Sequence, residues 1–142
     1  MIITNTPTGY RPTKAYIAFG GNATHWWTKF LKKGFYHCLV ILGNGYEWYI
    51  IDPVIHFTDF IIVKTNQIEK IFQHQGYKLV ATTPSIPSQI KFFLRPYTCV
   101  ETVKHFLGLQ EPLIWTPYQL FCFLTHKKGK KSLTFTKKCV IV

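Results

Sequence analysis

Short apolar runs separated by turn residues dominate the chain and predict a sheet of several strands. The runs that favour strands are residues 15–19, 35–42, 46–51, 60–63, 77–81 and 90–94. Asn44-Gly45, which separates the second run from the third, is the strongest hairpin signal in the sequence. Because most runs follow one another through short connections, we expect a mostly antiparallel sheet.

The clearest helical signal lies in the last third of the chain. Thr98 and Glu101 form a capping box, in which the Thr side chain satisfies a free N–H group of the first helical turn. This motif predicts a helix that begins at Cys99. Apolar residues then recur at helical spacing, and Gly108 is typical of a helix end.

Weaker signals predict further helices. Thr116-Pro117 is typical of a helix start because proline fits the first helical turn, and this helix is predicted to extend to about Leu124. A short helix is also predicted between residues 22 and 33, whereas residues 66–75 are ambiguous. This combination of elements predicts one compact α+β domain.

Composition agrees with a single folded domain in a reducing compartment. The chain has 142 residues, of which 47% are hydrophobic and 16% charged, enough apolar material for one core. No apolar run approaches the ~18 residues of a membrane span, and the first residues lack the pattern of a secretory signal. The four cysteines are scattered without paired spacing, which favours free thiols. No metal and no cofactor is predicted.

Positive charge is concentrated at the C-terminus. Lysine and arginine total 17 against 6 acidic residues, which gives a formal net charge of +11. We therefore expect a folded domain over residues 1–125 and a basic tail over residues 126–142. The tail is either a solvated extension or a surface for nucleic acid or an acidic protein. Nucleic-acid contact would be non-specific and would involve Lys127, Lys128, Lys130 and Lys131.

The predicted hairpin brings a histidine and a carboxylate together. If Asn44-Gly45 is a two-residue turn, the residue numbers of paired positions add up to 89, and His37 lies directly opposite Asp52. Directly paired side chains share a face, with Cβ atoms about 4.5–5.5 Å apart. Asp52 would then orient the imidazole and stabilise its charged form. A turn shifted by one residue keeps the pair on one face, whereas a three-residue turn separates them.

Cys99 is the candidate nucleophile. As the first residue of a capped helix, it lies where free N–H groups and the positive end of the helix dipole favour a thiolate. The same N–H groups can stabilise an oxyanion. With His37 and Asp52 it supplies the parts of a cysteine acyl-transfer site. Cys38 is the weaker candidate, because it is expected to point to the opposite face of the sheet from His37.

Each of these three residues also has a purely structural interpretation. Cys99 is then an inert packed thiol, His37 a core or surface histidine, and Asp52 a turn residue. The helix-start position of the cysteine and the His–Asp register are independent arguments, so their coincidence favours the catalytic interpretation.

The order of these elements resembles a known family. A histidine followed by a hairpin and an acid, and then a cysteine that opens a helix, is similar to the circularly permuted NlpC-type branch of papain-like proteins. Lecithin–retinol acyltransferase relatives belong to this branch. The resemblance covers about residues 35–124, and similar segments occur in small uncharacterised bacteriophage proteins. The segments that carry it are residues 35–38, 48–53, 98–104 and 116–120.

The resemblance implies a papain-like fold of the permuted NlpC type, with a nucleophile-bearing helix packed against an antiparallel sheet. It implies a triad of Cys99, His37 and Asp52 that acts on amide, peptide or ester bonds. It also implies a phage setting, in the cytoplasm of an infected bacterial host or in the virion. The alternative is a non-enzymatic virion or assembly protein that keeps the fold and contacts other virion proteins.

Overall fold

An antiparallel sheet with helices on both faces makes up the described part of the chain. The computed structural model describes residues 12–23, 25–54, 57–83, 98–126 and 140–141. In chain order the elements are β1 Lys14–Gly20, a 3₁₀ helix Trp26–Phe30, β2 His37–Gly43, β3 Glu47–Pro53, β4 Thr58–Lys64, α1 Ile68–His74, β5 Lys78–Thr82, α2 Cys99–Leu107, α3 Pro117–His126 and β6 Val140–Ile141.

The sheet follows the order β4-β3-β2-β1-β5-β6, and all of its described pairings are antiparallel. Five strands form its body, and β6 adds two residues at the edge of β5. The predicted α+β class and antiparallel sheet are therefore confirmed.

Two apolar clusters lie on opposite faces of the sheet. On one face, α2 and α3 pack on β1 and β2 through a cluster that includes Phe19, Val40, Val100, Val103 and Leu120. On the other face, α1 packs through a cluster that includes Ile41, Trp48, Ile68, Phe72 and Leu79. Strands β1 and β2 are thus buried along most of their length, which explains their continuous apolar sequences.

Strand β4 forms one edge of the sheet and remains largely exposed. Among the described residues it pairs only with β3. Three of its apolar side chains are exposed, Phe60 at 73%, Ile61 at 46% and Ile62 at 60%, whereas Val63 packs against the cluster around Trp48. Edge strands usually carry charges or proline that discourage association, and the centre of β4 carries neither.

The β2–β3 hairpin turns one residue later than the sequence predicts. Paired residue numbers add up to 91 rather than 89. Asn44 opens the turn instead of occupying its centre, and its side-chain oxygen accepts hydrogen bonds from the N–H groups of Tyr46 and Glu47 at 3.0 and 2.9 Å. Gly45 then occupies the first central position with a φ of 104°, which glycine adopts without strain.

This register changes the predicted relation between His37 and Asp52. Continued along the strands, it places Leu39 opposite Asp52, so the predicted direct pairing with His37 is wrong. A shift of two residues leaves both side chains on the same face of the sheet, because side chains alternate between the faces with a period of two. His37 and Asp52 are therefore diagonal neighbours on one face, where β2 begins and β3 ends.

Other elements differ in extent from the prediction. The helix expected over residues 22–33 is a single 3₁₀ turn, Trp26–Phe30, and the ambiguous residues 66–75 contain α1. Strand β3 continues through Pro53, which pairs with Thr58 of β4.

Two predicted segments cannot be compared with the fold. The strand expected at residues 90–94 and the tail lysines Lys127, Lys128, Lys130 and Lys131 lie outside the described residues. Within the described ranges, no helix combines the length and apolar character needed to cross a bilayer.

Gly43→Ala is expected to destabilise the fold. Gly43 pairs with Trp48, and a Cβ atom at position 43 would lie 2.3 Å from Trp48 Cε3. The indole is fixed, because it is buried and its N–H donates to the carbonyl of Thr65 at 2.8 Å. We expect a loss of about 1–3 kcal/mol in the free energy of unfolding, measured by urea denaturation. An unchanged unfolding midpoint would contradict this packing.

Candidate active site

The N-terminus of α2 places Cys99 at the end of the sheet. The Thr98 hydroxyl accepts a hydrogen bond from the backbone N–H of Glu101 at 3.3 Å, as the capping box predicts. The Thr98 carbonyl accepts a second bond, from the N–H of Thr102, at 3.1 Å. Gly108 closes the helix in the left-handed conformation, with a φ of 63°. The predicted helix is therefore confirmed, and Cys99 is its first residue.

A buried lysine fixes the other end of this helix. Lys104 is 2% exposed, and its ammonium group donates to the carboxylate of Glu101 at 2.5 Å. It also donates to the carbonyls of Glu111 and Ile114, at 3.0 and 3.1 Å. The bonds to the two carbonyls join α2 to the segment before α3.

His37 and Asp52 form a close side-chain pair. His37 Nε2 lies 2.5 Å from Asp52 Oδ1, and the two side chains are 24% and 28% exposed. The diagonal arrangement in the sheet thus brings the groups together as effectively as the direct pairing that the sequence predicted. Asp52 fixes the orientation of the ring and favours its charged form.

The sulfur of Cys99 completes the group. It lies within interaction range of the side chains of His37 and Cys38 and of the backbone of Cys38. Because Nε2 of His37 pairs with Asp52, Nδ1 is the ring nitrogen that can interact with the Cys99 sulfur. His37 is the first residue of β2, so its ring can meet the N-terminus of α2 at the end of the sheet.

The electrostatics of the site favour a thiolate beside an imidazolium. The hydrogen bond from Cys38 lowers the pKa of Cys99, burial opposes this, and His37 lowers it further, to about 5. Burial lowers the pKa of His37, but hydrogen bonds with Asp52 and Cys99 outweigh burial and raise it to about 9. Between these two values Cys99 is negatively charged and His37 is positively charged.

Cys38 has a role that sequence reasoning missed. Its side chain is fully buried in the cluster beneath α2 and contacts Cys99. Burial raises its pKa well above the ordinary value, so it stays a neutral thiol that donates to the Cys99 sulfur. Cys38 faces away from His37, as the sequence predicts, because it lies in the cluster under α2, whereas Leu39 and Ile41, on the face of His37, lie in the other cluster. The prediction did not include the packing of α2 on the face of Cys38.

Two glycines allow the close approach of neighbouring groups. Gly20 pairs with His37, and a Cβ atom at position 20 would lie 2.8 Å from Cδ1 of Tyr77. At Gly21, whose φ is 88°, a Cβ atom would lie 3.1 Å from that of His37. The Gly20-Gly21 pair therefore leaves space for the ring of Tyr77 on one side and for His37 on the other.

The first turn of α2 also offers hydrogen-bond donors. The N–H groups of Glu101 and Thr102 are used by Thr98. The N–H groups of Cys99 and Val100 have no carbonyl four residues back within the helix. They lie beside the sulfur, at the positive end of the helix, where an anionic oxygen formed by attack of the sulfur can be stabilised.

The described residues contain no group of three or more His, Cys, Asp or Glu arranged to hold a metal ion. Comparison of the chain with protein families, with curated proteins and with solved structures yields no significant match.

Alkylation of Cys99 is expected to depend on His37. In the wild-type protein the rate with iodoacetamide should rise with pH around a midpoint near 5, because the reactive form is the thiolate. In His37→Ala the midpoint should move upward, so that Cys99 reacts much more slowly at pH 6. Mass spectrometry of the peptide that contains Cys99 separates its modification from that of the other cysteines.

His105→Ala is the matched control, because it removes another partly exposed histidine, from the same helix that carries Cys99. This variant should alkylate as the wild-type protein does. Equal rates in the wild-type and His37→Ala proteins at pH 6 would contradict the proposed ion pair.

Proposed function

We propose that the protein is a cysteine-dependent hydrolase or acyltransferase that acts on amide, peptide or ester bonds. The observation that carries the proposal is the continuous chain of contacts from Cys99 through His37 to Asp52. A nucleophile, a general acid–base and an orienting carboxylate in hydrogen-bond contact are the parts that this chemistry requires.

In the first step, the Cys99 thiolate attacks the carbonyl carbon of the substrate. The carbonyl oxygen becomes an oxyanion, which the N–H groups of Cys99 and Val100 stabilise. The imidazolium of His37 then donates its proton to the leaving amine or alcohol as the carbon–heteroatom bond breaks. The products of this step are the free leaving group and a thioester on Cys99, with His37 neutral.

In the second step, the neutral His37 accepts a proton from water or from another nucleophile. The activated nucleophile attacks the thioester, and the carbon–sulfur bond breaks to restore the Cys99 thiolate and the His37 imidazolium. With water the reaction is hydrolysis, and with an alcohol or amine it is acyl transfer. Asp52 orients the ring in both steps and stabilises its positive charge.

The resemblance to the permuted NlpC-type branch supports the same reaction class. In that branch the histidine precedes the cysteine, as His37 precedes Cys99 here, and the third residue follows on the next strand, as Asp52 does. The similarity to bacteriophage proteins makes peptide or amide bonds in a phage-infected bacterium the substrate setting that we favour.

The exposed edge of the sheet supports a second candidate function. Strand β4 presents apolar side chains to solvent, with Phe60 73% and Ile61 46% exposed. Such an edge suits contact with another protein. The alternative is therefore a non-enzymatic virion or assembly protein that keeps the fold. Under this alternative, Cys99→Ala would leave assembly and infection intact.

Reaction with p-nitrophenyl acetate tests the catalytic proposal. We expect release of nitrophenolate together with an acetyl group on Cys99, detected by mass spectrometry. Cys99→Ala should abolish both, and His37→Ala should slow acylation by roughly 10²–10⁴-fold. The rate should rise through pH 5 as Cys99 ionises and fall through pH 9 as His37 loses its proton.

Cys122→Ala is the matched control, since it removes a free thiol outside the site. It should react as the wild-type protein does. The catalytic proposal fails if acylation of the wild-type protein is no faster than that of Cys99→Ala.

A further inference from the structure

A loop beside the candidate site exposes aromatic rings among lysines. Residues 25–33, which we call the aromatic–lysine loop, lie in the connection between β1 and β2. Trp26 is 76% and Phe30 83% exposed, far more than large apolar side chains usually are. The exposed cations of the same loop are Lys29, Lys32 and Lys33.

One residue within the loop and one just after it are buried. Thr28 is 3% exposed, and its N–H and hydroxyl groups donate to the carbonyl of His25 at 3.1 and 2.5 Å. Phe35 is buried just after the loop, and its ring lies 4.9 Å from that of Phe121 in α3. Thr28 is the central, buried residue of the 3₁₀ turn, and the exposed rings of Trp26 and Phe30 stand at its two ends.

The loop itself carries charge of one sign. All six acidic residues of the chain stand at position 47 or later, so the first 46 residues contain none. The Lys32 ammonium lies 5.6 Å from the ring centroid of Tyr118, which extends the surface onto the start of α3. An anionic partner therefore meets no acidic side chain within the loop.

We propose that the aromatic–lysine loop binds the surface of an anionic lipid bilayer. Trp26 and Phe30 would enter the headgroup region, where aromatic rings are favoured, and the lysines would contact the anionic headgroups. Single-stranded nucleic acid also attracts lysines and aromatic rings. The observations favour lipid, because highly exposed rings are better suited to insertion into the headgroup region than to stacking with bases.

Co-sedimentation with vesicles tests the proposal on the full chain. We expect binding to phosphatidylcholine vesicles that contain 30% phosphatidylglycerol, and at least tenfold weaker binding to phosphatidylcholine alone. Trp26→Ser with Phe30→Ser should weaken anionic binding at least tenfold, although net charge is unchanged. If the tail lysines alone caused the binding, this double variant would bind anionic vesicles as strongly as the wild-type protein does. Lys29→Glu with Lys33→Glu should also weaken binding.

Two controls match these variants. Phe60→Ser removes a ring of similar exposure on β4, and Lys70→Glu reverses an exposed charge on α1. Both should bind vesicles as the wild-type protein does. Unchanged vesicle binding by the Trp26→Ser, Phe30→Ser variant would overturn the proposal. So would loss of binding to a single-stranded oligonucleotide, but not to vesicles, in that variant.

Discussion

The interaction on which the site depends is the contact between a negatively charged sulfur and a positively charged imidazole at the end of the sheet. A charge withdrawn from water is costly unless an opposite charge or a hydrogen bond compensates it. Here Cys99 and His37 compensate each other, Asp52 holds the second ring nitrogen, and Cys38 donates to the sulfur. These residues act as a unit, because removal of one leaves another charge without its partner.

The fold supplies this unit from separate parts of the chain. Strands β2 and β3 contribute the histidine and the carboxylate through their hairpin, and the capped start of α2 contributes the sulfur. Burial of α2 against β1 and β2 fixes the distance between the β2–β3 hairpin and the start of α2. Lys104 binds the segment that follows the helix. The site is therefore a consequence of core packing and not of a flexible loop.

The sequence was informative where the signals are local. The capping box at Thr98 predicts the start of α2. Period-two alternation predicts that His37 and Asp52 share a face, even though the predicted register is wrong by two residues. The register itself depends on Asn44, whose side chain binds two backbone N–H groups and displaces the turn by one residue. The role of Cys38 depends on which sheet face α2 covers, a tertiary choice that strand periodicity leaves open.

The protonation state of His37 tests the central claim most directly. Nitrogen-15 NMR of labelled histidine, with the His37 signal assigned by a His37→Gln variant, reports whether both ring nitrogens carry protons. We expect an imidazolium at pH 7.5 that titrates near pH 9, and a lower midpoint in Cys99→Ala. A neutral ring at pH 7.5, with the same midpoint in both proteins, would contradict the ion pair and the chemistry built on it.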